Sequence, residues 1–385
     1  SPTGPRRFAL LDPPVIDEET GVRASANSEV AAVSAALVES GHRTITFCQS
    51  RKGTELIAAD ISRRVSLHLK GSVMSYRAGY LAEERRAIEE QMSDGTLRGI
   101  VATSALELGV DIGDLDACVI NGFPGTIASM WQQAGRAGRR NAPSVSVLVA
   151  GDDQLDRYLM RHPHEVFERQ PEPSVINTAN PHIRGPHLAC AAYELPLSYD
   201  DVRWWNDEEL HDGIRDLVRD GQLRLQRRRR NGHEEPFAHW CGTGYPSRGI
   251  GLRSGSSSEI TIIDHHTERL IGTVDEARAY TAVHQGAIYL HRGQSYAVVE
   301  LDLHDKRARV VECDNTTYTQ PRTEKDIRVL RVVDQRRVGR TTLHIGEVEV
   351  TTQVLGYQLR DRFSRKILAN ETLDLPEQRQ KPQIH

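Results

Sequence analysis

The chain has 385 residues, with 49 Lys and Arg against 53 Asp and Glu, a formal net charge of −4, and 38% hydrophobic content. That balance excludes an intrinsically disordered chain and a protein that coats nucleic acid through bulk charge. No apolar run approaches the ~20 residues needed to cross a bilayer, and the length predicts about two to four domains.

Arginine outnumbers lysine 43 to 6, a bias that GC-rich coding alone produces. Cys48, Cys118, Cys190, Cys241 and Cys313 lie far apart, so reduced thiols are expected and no local metal set arises. His162, His164, His265 and His266 lack a Cys or carboxylate at ligand spacing, so no metal is expected there.

Residues 1–27 read as a linker. They are Pro-rich as far as Pro14 and open on "SPTGPRR" without an initiator Met, so a trimmed start is expected. From Glu29 to about Gly151, short β-branched runs alternate with helical stretches. "RTITF" (43–47), "SVMSY" (72–76), "GIVAT" (99–103), "ACVIN" (117–121) and "SVSVLVA" (144–150) predict strands. Thr54–Val65 and Ala82–Met92 predict helices between them. Strands alternating with helices of ~10–15 residues predict an α/β domain over 28–165, its parallel sheet covered on both faces. Function in such sheets gathers at the carboxyl ends of the strands.

Five prolines between Pro163 and Pro186 predict an extended connector, placed at 166–184. "HLACAAYEL" and "NDEELHDGIRDLVRDGQL" predict two helices. The second is amphipathic through Leu210, Ile214, Leu217 and Val218, and ends at Gly221. "LRLQRRRRNGHEEPFAHWC" then predicts a hairpin with Asn231–Gly232 at or near its tip. Helices followed by a hairpin predict a winged-helix domain over 185–252. Arg253–Ser258 reads as a linker. From Glu259 onward apolar and polar residues alternate at period two, predicting an all-β unit over 253–375, a small barrel or curled sheet. Residues 376–385 read as a loose tail.

The chemistry concentrates in the first domain. "MWQQAGRAGRR" (130–140) sets Arg136, Arg139 and Arg140 among Gly and Ala, where guanidinium groups could meet a phosphoryl group. Alone, it reads equally as a solvated basic face. "VATSALELGVDIG" (101–113) puts Thr103 and Ser104 at the end of the third strand, with Gly109 and Asp111 in a tight turn beyond it. Hydroxyls and helix-start amides there suit phosphate binding. "TFCQSRKGTE" (46–55) puts Ser50, Arg51 and Lys52 just past the first strand, and "SYRAGYLAEERR" (75–86) puts Arg77 past the second. Successive strands thus bring polar and basic groups to one edge of the sheet.

These four stretches resemble motifs IV, IVa, V and VI of superfamily 2 helicases, in the same order. "GFPGTIASMWQQAGRAGRR" and "VHQGAIYLHRGQSY" (283–296) are similar to the YprA/MrfA/Hrq branch, and most to its actinobacterial members. The resemblance implies a second RecA-like domain followed by accessory domains. It implies that Gln132 contacts the ATP γ-phosphate, that Arg136 and Arg139 are arginine fingers, and that Gly109 and Asp111 couple nucleotide to DNA. It also implies that Ser50, Arg51, Arg77 and Thr103 lie along the sugar–phosphate backbone; Arg140 is placed outside the nucleotide site.

In related helicases the winged helix grips DNA. Here Arg224, Arg227, Arg228, Arg229 and Arg230 would stud its wing, although a solvated hairpin is the alternative. Trp204 and Trp205 could stack on bases or pack in a core. The "DEAR" at 275–278 reads as a turn or helix start, not as a catalytic box.

The sequence contains no G-x-x-x-x-G-K-[ST]. The expectation is therefore the C-terminal portion of a 3′-to-5′ single-stranded DNA translocase or helicase, working in DNA repair in a bacterial cytoplasm at the nucleoid. ATP and Mg²⁺ would be held mainly by a first RecA-like domain, and this chain alone would hold neither and be inactive. The resemblance also implies a four-cysteine metal module near the C-terminus; this sequence has no such cluster, so the expectation is either a departure from the pattern or an end that is trimmed too. Single-stranded or 3′-tailed duplex DNA is the implied partner, with no membrane. A nucleic-acid binding module with a retained RecA fold, and an RNA helicase, remain as alternatives.

Overall fold

A computed structural model describes residues 4–110, 112–138, 142–174, 176–230, 233–250 and 258–380. The first unit is built on six strands: β1 (Arg6–Leu11), β2 (Thr44–Phe47), β3 (Val73–Tyr76), β4 (Gly99–Ala102), β5 (Ala117–Asn121) and β6 (Ser144–Val149). They lie in the order β1-β6-β5-β2-β4-β3, every pairing parallel. Strands β2 and β4 are buried along their whole length, as their continuous apolar character demands of a sheet covered on both sides. One core packs around Ile100, Ile120 and Met130; the other packs Val30, Ile57 and Ile61 against Val101 and Val119.

Four helices matter to the site: α1 (Ala26–Glu39), α2 (Arg51–Arg64), α3 (Ala82–Ser93) and α4 (Ile127–Ala134). Ser50 caps α2 by accepting from the Gly53 N–H at 2.9 Å, and Thr126 caps α4 by accepting from Ser129 N–H at 3.1 Å.

The amino-terminal segment differs from the linker expected over 1–27. Residues 6–11 form edge strand β1, in register with β6 from Arg6↔Ser144 to Leu11↔Val149. An edge strand buries only part of one face, so "RRFALL" carries no strong alternation, and its partner lies far along the chain.

The second unit has helices Pro181–Glu194 and Asp207–Arg219, followed by a hairpin in which Leu223–Arg230 pairs antiparallel with His233–Trp240. Leu188, Leu210, Leu217, Leu223 and Ala238 form its core, with Ile214 and Val218 half-buried beside them. The hairpin is as expected; Asn231 and Gly232 lie outside the described residues.

The remainder is β-rich. Five strands assemble in the order Leu270–Asp275, Glu259–Asp264, Arg307–Cys313, Gln294–Asp302 and Ile288–His291. A ribbon of Thr317–Val338 against Thr341–Asp361 extends from it, joined by Ile367–Thr372. The 275–278 stretch starts a short helix, Glu276–Ala282. The tail expected to be loose contributes Gln378–Gln380, paired with Val350–Thr352; residues 381–385 lie outside the described ones. Among the described residues no helix is long and apolar enough to cross a membrane.

His284 and His291 are buried in this β-rich unit. Burial pushes both imidazoles below their ordinary value; for His291 the Glu84 carboxylate opposes the shift without cancelling it. The folded chain therefore holds them neutral where the unfolded chain, with an imidazole pKa of about 6.5, takes up protons. Stability is present above that value and is lost as pH falls through it. The thermal midpoint should drop when pH is lowered from about 7.5 to about 5.5. A midpoint that holds or rises over that window contradicts the assignment.

Candidate nucleotide and nucleic-acid interface

At the carboxyl edge of the sheet the chain leaves β2 at Cys48, Gln49 and Ser50. Gln49 Nε2 donates to the Phe123 carbonyl at 3.0 Å, tying this loop to the one after β5. Asp156, buried, accepts from the Phe123 and Gly151 amides and so gathers the loops after β5 and β6. Its carboxyl is raised by burial, with those amides opposing the shift. Two adjoining clefts open along this edge. One, of about 310 Å³, lies between Gln49, Ser104, Glu107 and Gln133; the other, of about 390 Å³, lies between Ser25, Asn27, Ser50 and Asp153. Both are lined by Cys48, Gln49, Asn121 and Gly122. The Cys48 thiol faces this edge, but burial pushes it up to about 12, so it stays protonated at neutral pH.

The segment after β4 and the segment after α4 are locked together. Thr103 accepts from Ala105 N–H and starts a short 3-10 turn, Ser104–Leu106. Glu107 follows, and its carboxylate accepts from Ser129 Oγ at 2.8 Å and Gln133 Nε2 at 2.9 Å, both on α4. Arg136, just past α4, returns the contact: Nε donates to the Glu107 carbonyl at 2.9 Å and Nη1 to the Val110 carbonyl at 2.7 Å. Between those carbonyls sits Gly109 at φ +80°, a left-handed conformation that a side chain would strain. Gly138 closes the segment at φ +86°, where a Cβ would stand 2.3 Å from Ser144 Oγ.

Arg136 is thus 6% exposed, with its Nε and Nη1 on main-chain carbonyls. Gln132 is exposed, on the outward side of α4. Asp111, Arg139 and Arg140 lie outside the described residues. Sequence reasoning missed Glu107 and Gln133. The second glutamine of the "QQ" pair was visible, but nothing in the sequence showed that it turns inward to a carboxylate 26 residues earlier.

The basic residues expected along a nucleic-acid backbone are placed differently. Arg77 is 3% exposed. Its Nε meets Glu55 Oε1 at 3.1 Å, and its Nη2 donates to Tyr289 Oη at 3.0 Å and to the Leu290 carbonyl. Glu55 also accepts from Ser75, Tyr80 and the amides of Arg292 and Gly293. Burial raises the Glu55 carboxyl, but Arg77 and these hydrogen bonds outweigh it and hold the group below its ordinary value. Arg51 pairs with Asp275 at 3.2 Å. Lys52 donates to the Thr319 carbonyl and lies 4.0 Å over the Tyr318 ring; burial, with Arg360 adding to it, pulls its ammonium down to about 8. All three residues fasten the first unit to the β-rich unit. That corrects the expectation that Arg51 and Arg77 face an open edge: their partners lie more than 200 residues away along the chain. Ser50 and Thr103 remain at the edge, Ser50 exposed and Thr103 half-buried.

Residues 28–141 match the model of the helicase conserved C-terminal domain, and residues 176–255 match that of the winged helix domain of ATP-dependent helicase HRQ1. The chain is 38% identical to the uncharacterised ATP-dependent helicase YprA of Bacillus subtilis over 91% of its length, and 30% identical to the ATP-dependent helicase HRQ1 of Saccharomyces cerevisiae over 98%. A crystal structure of the DUF1998 helicase MrfA bound to DNA superposes with a TM-score of 0.82 at 36% identity, over 99% of this chain and 50% of that one. The chain belongs to this helicase family. It spans 46% of the length of YprA and 35% of that of HRQ1.

Among the described side chains of the wing, the arginines are exposed. Arg227 and Arg229 are exposed, and Arg227 Nη1 reaches Glu234 at 3.5 Å across the hairpin; the side chains of Arg228 and Arg230 lie outside the described ones. Glu235 and Glu234 stand opposite Arg228 and Arg229, which tempers the positive field. The two tryptophans separate: Trp205 packs against the helical core, while Trp204 is 71% exposed with Arg203 over its ring.

Replacing Glu55 with Gln leaves the Arg77 charge buried without its counter-charge. Loss of one member of a buried pair costs roughly 3–5 kcal/mol. Urea unfolding of Glu55→Gln should show a loss of that order. A loss below about 1 kcal/mol, the scale of an exposed pair, contradicts the reading.

Proposed function

We propose that this chain is the C-terminal motor portion of an ATP-dependent DNA helicase that translocates 3′ to 5′ on single-stranded DNA, engages 3′-tailed duplexes and serves DNA repair at the bacterial nucleoid. A partner RecA-like domain would hold most of the ATP and Mg²⁺. This chain would complete the site with Gln132, Arg139 and the segment braced by Arg136, so by itself it binds single-stranded DNA weakly and turns over no ATP.

One observation carries the reading: Arg136 seated on the carbonyls of Glu107 and Val110. The arginine-rich segment is a candidate for meeting a transferring phosphoryl group, because guanidinium groups stabilise charge spread over its oxygens. The Thr103–Val110 segment lies at the sheet edge where a phosphodiester would sit. With two hydrogen bonds joining them, the first segment cannot move without dragging the second. Arg136 is then a positioning residue that passes a nucleotide-dependent shift to Gly109 and Asp111, and so to Thr103. Ser50, Thr103 and the wing residues Arg227, Arg228, Arg229 and Arg230 are the proposed contacts to the strand. DNA is favoured over RNA because the similar MrfA structure is one bound to DNA.

In a protein with a complete nucleotide site, Arg139→Ala should lower kcat by about 10³-fold or more, the range measured for arginine fingers. Arg136→Ala should abolish stimulation of ATP hydrolysis by single-stranded DNA while leaving DNA affinity largely intact. Steady-state ATPase assays with and without oligonucleotide check both. Unchanged turnover in Arg139→Ala, or full DNA stimulation in Arg136→Ala, contradicts the assigned roles.

A further inference from the structure

A second groove adjoins the cleft at the carboxyl edge, between α2, the start of α1 and the turn 361–366 of the β-rich unit. It encloses about 510 Å³. Its walls carry five guanidinium groups, Arg63, Arg64, Arg360, Arg362 and Arg365, and a single carboxylate, Asp60. Asp60 is already shared by Arg63 at 2.7 Å and Arg64 at 3.3 Å. Among the described residues Arg360, Arg362 and Arg365 have no ion pair, and Arg362 Nη2 is buried without a hydrogen-bond acceptor.

Burial pulls the Arg362 guanidinium below its ordinary value; Glu55 opposes this and Arg63 adds to it. Bringing an anion into the groove would offset that cost. The start of α1, a helix of 14 residues, adds the positive end of its dipole, and Arg365 Nη1 donates to Ser25 Oγ there at 2.7 Å.

We propose that this groove is a second binding site for a nucleic-acid strand, taking its phosphate backbone after the strand has crossed the carboxyl edge of the sheet. The proposal rests on the reading of the chain as one that binds single-stranded DNA. Three observations favour a strand over a free phosphate or an acidic peptide. The groove is continuous with the edge, since Ser25, Asn27 and Arg365 line both it and the cleft that holds Ser50 and Asn121. It is elongated, following α2 from Leu56 through Asp60 to Arg63, roughly 10 Å along the helix. It also carries an aromatic ring: Phe363 is 54% exposed, and although the Arg63 guanidinium covers one face at 4.6 Å, the ring's remaining exposed surface suits a base of any sequence.

The test is fluorescence anisotropy of labelled oligo-dT with the whole chain, titrated at several salt concentrations. Arg63→Ser with Arg365→Ser changes only exposed side chains, and circular dichroism verifies that the fold is kept. This double variant should weaken binding and reduce the slope of log K against log salt by about two, one for each guanidinium removed. Phe363→Ala should weaken binding with the slope unchanged. If the parent chain binds oligo-dT and the double variant matches it in affinity and slope, the groove proposal is overturned and the strand-binding reading stands. If the variant loses only polyglutamate binding, the groove takes an acidic peptide and the proposal is likewise overturned. If the parent chain fails to bind oligo-dT at any salt, the underlying reading itself fails.

Discussion

The ion pair between Arg77 and Glu55 is the constraint on which the rest of the arrangement depends. Two opposite charges, their side chains 4% and 1% exposed, sit where the first unit meets the β-rich one. Neither could be buried alone, because an unpaired charge in that environment costs several kcal/mol. Their remaining hydrogen-bonding capacity is met from both sides: Ser75 and Tyr80 from the first unit, Tyr289, Leu290, Arg292 and Gly293 from the second. The network is satisfied only when the two units are docked. Lys52 on Thr319 and Arg51 on Asp275 add further ties around the start of α2.

Docking of this kind has a consequence for a motor. The loop after β2 and the start of α2 lie in the middle of the sheet's carboxyl edge, and they cannot shift relative to the β-rich unit without breaking buried polar contacts. The Arg136 bonds to Glu107 and Val110 tie together the segments that follow the two strands neighbouring β2, joining the one after α4 to the one after β4. In the proposed mechanism a movement begun at a nucleotide would therefore carry the edge and the β-rich unit together. The arginine groove straddles that joint, with α2 on one wall and the 361–366 turn on the other.

The parallel sheet was legible in the sequence because five of its six strands are buried runs of β-branched residues separated by helical stretches. Strand β1 was not, because an edge strand with two arginines carries little of that signal. Positions at the sheet edge could be read from the ends of the strands, and Ser50 and Thr103 do lie there. The engagement of Arg51 and Arg77 could not be read. Residue type shows that a guanidinium is present, but whether it meets a phosphate or a carboxylate depends on a chain segment more than 200 residues away. In the sequence, the "VHQGAIYLHRGQSY" phrase carries only a family likeness. Its physical meaning is that Tyr289 to Gly293 forms the surface that receives Arg77 and Glu55. The groove arginines were invisible for a similar reason, since Arg63 and Arg362 are brought together only by the fold.

Hydrogen–deuterium exchange on the whole chain tests the central claim, that the sheet and the β-rich unit are one body held by the buried pair. The amides of Arg292 and Gly293, with those of strand Ile288–His291, should exchange as slowly as the amides of β3 and β4, and all should be released together as denaturant is added. Rapid exchange across 288–293 while β3 and β4 remain protected would show that the joint opens by itself, and would contradict the account.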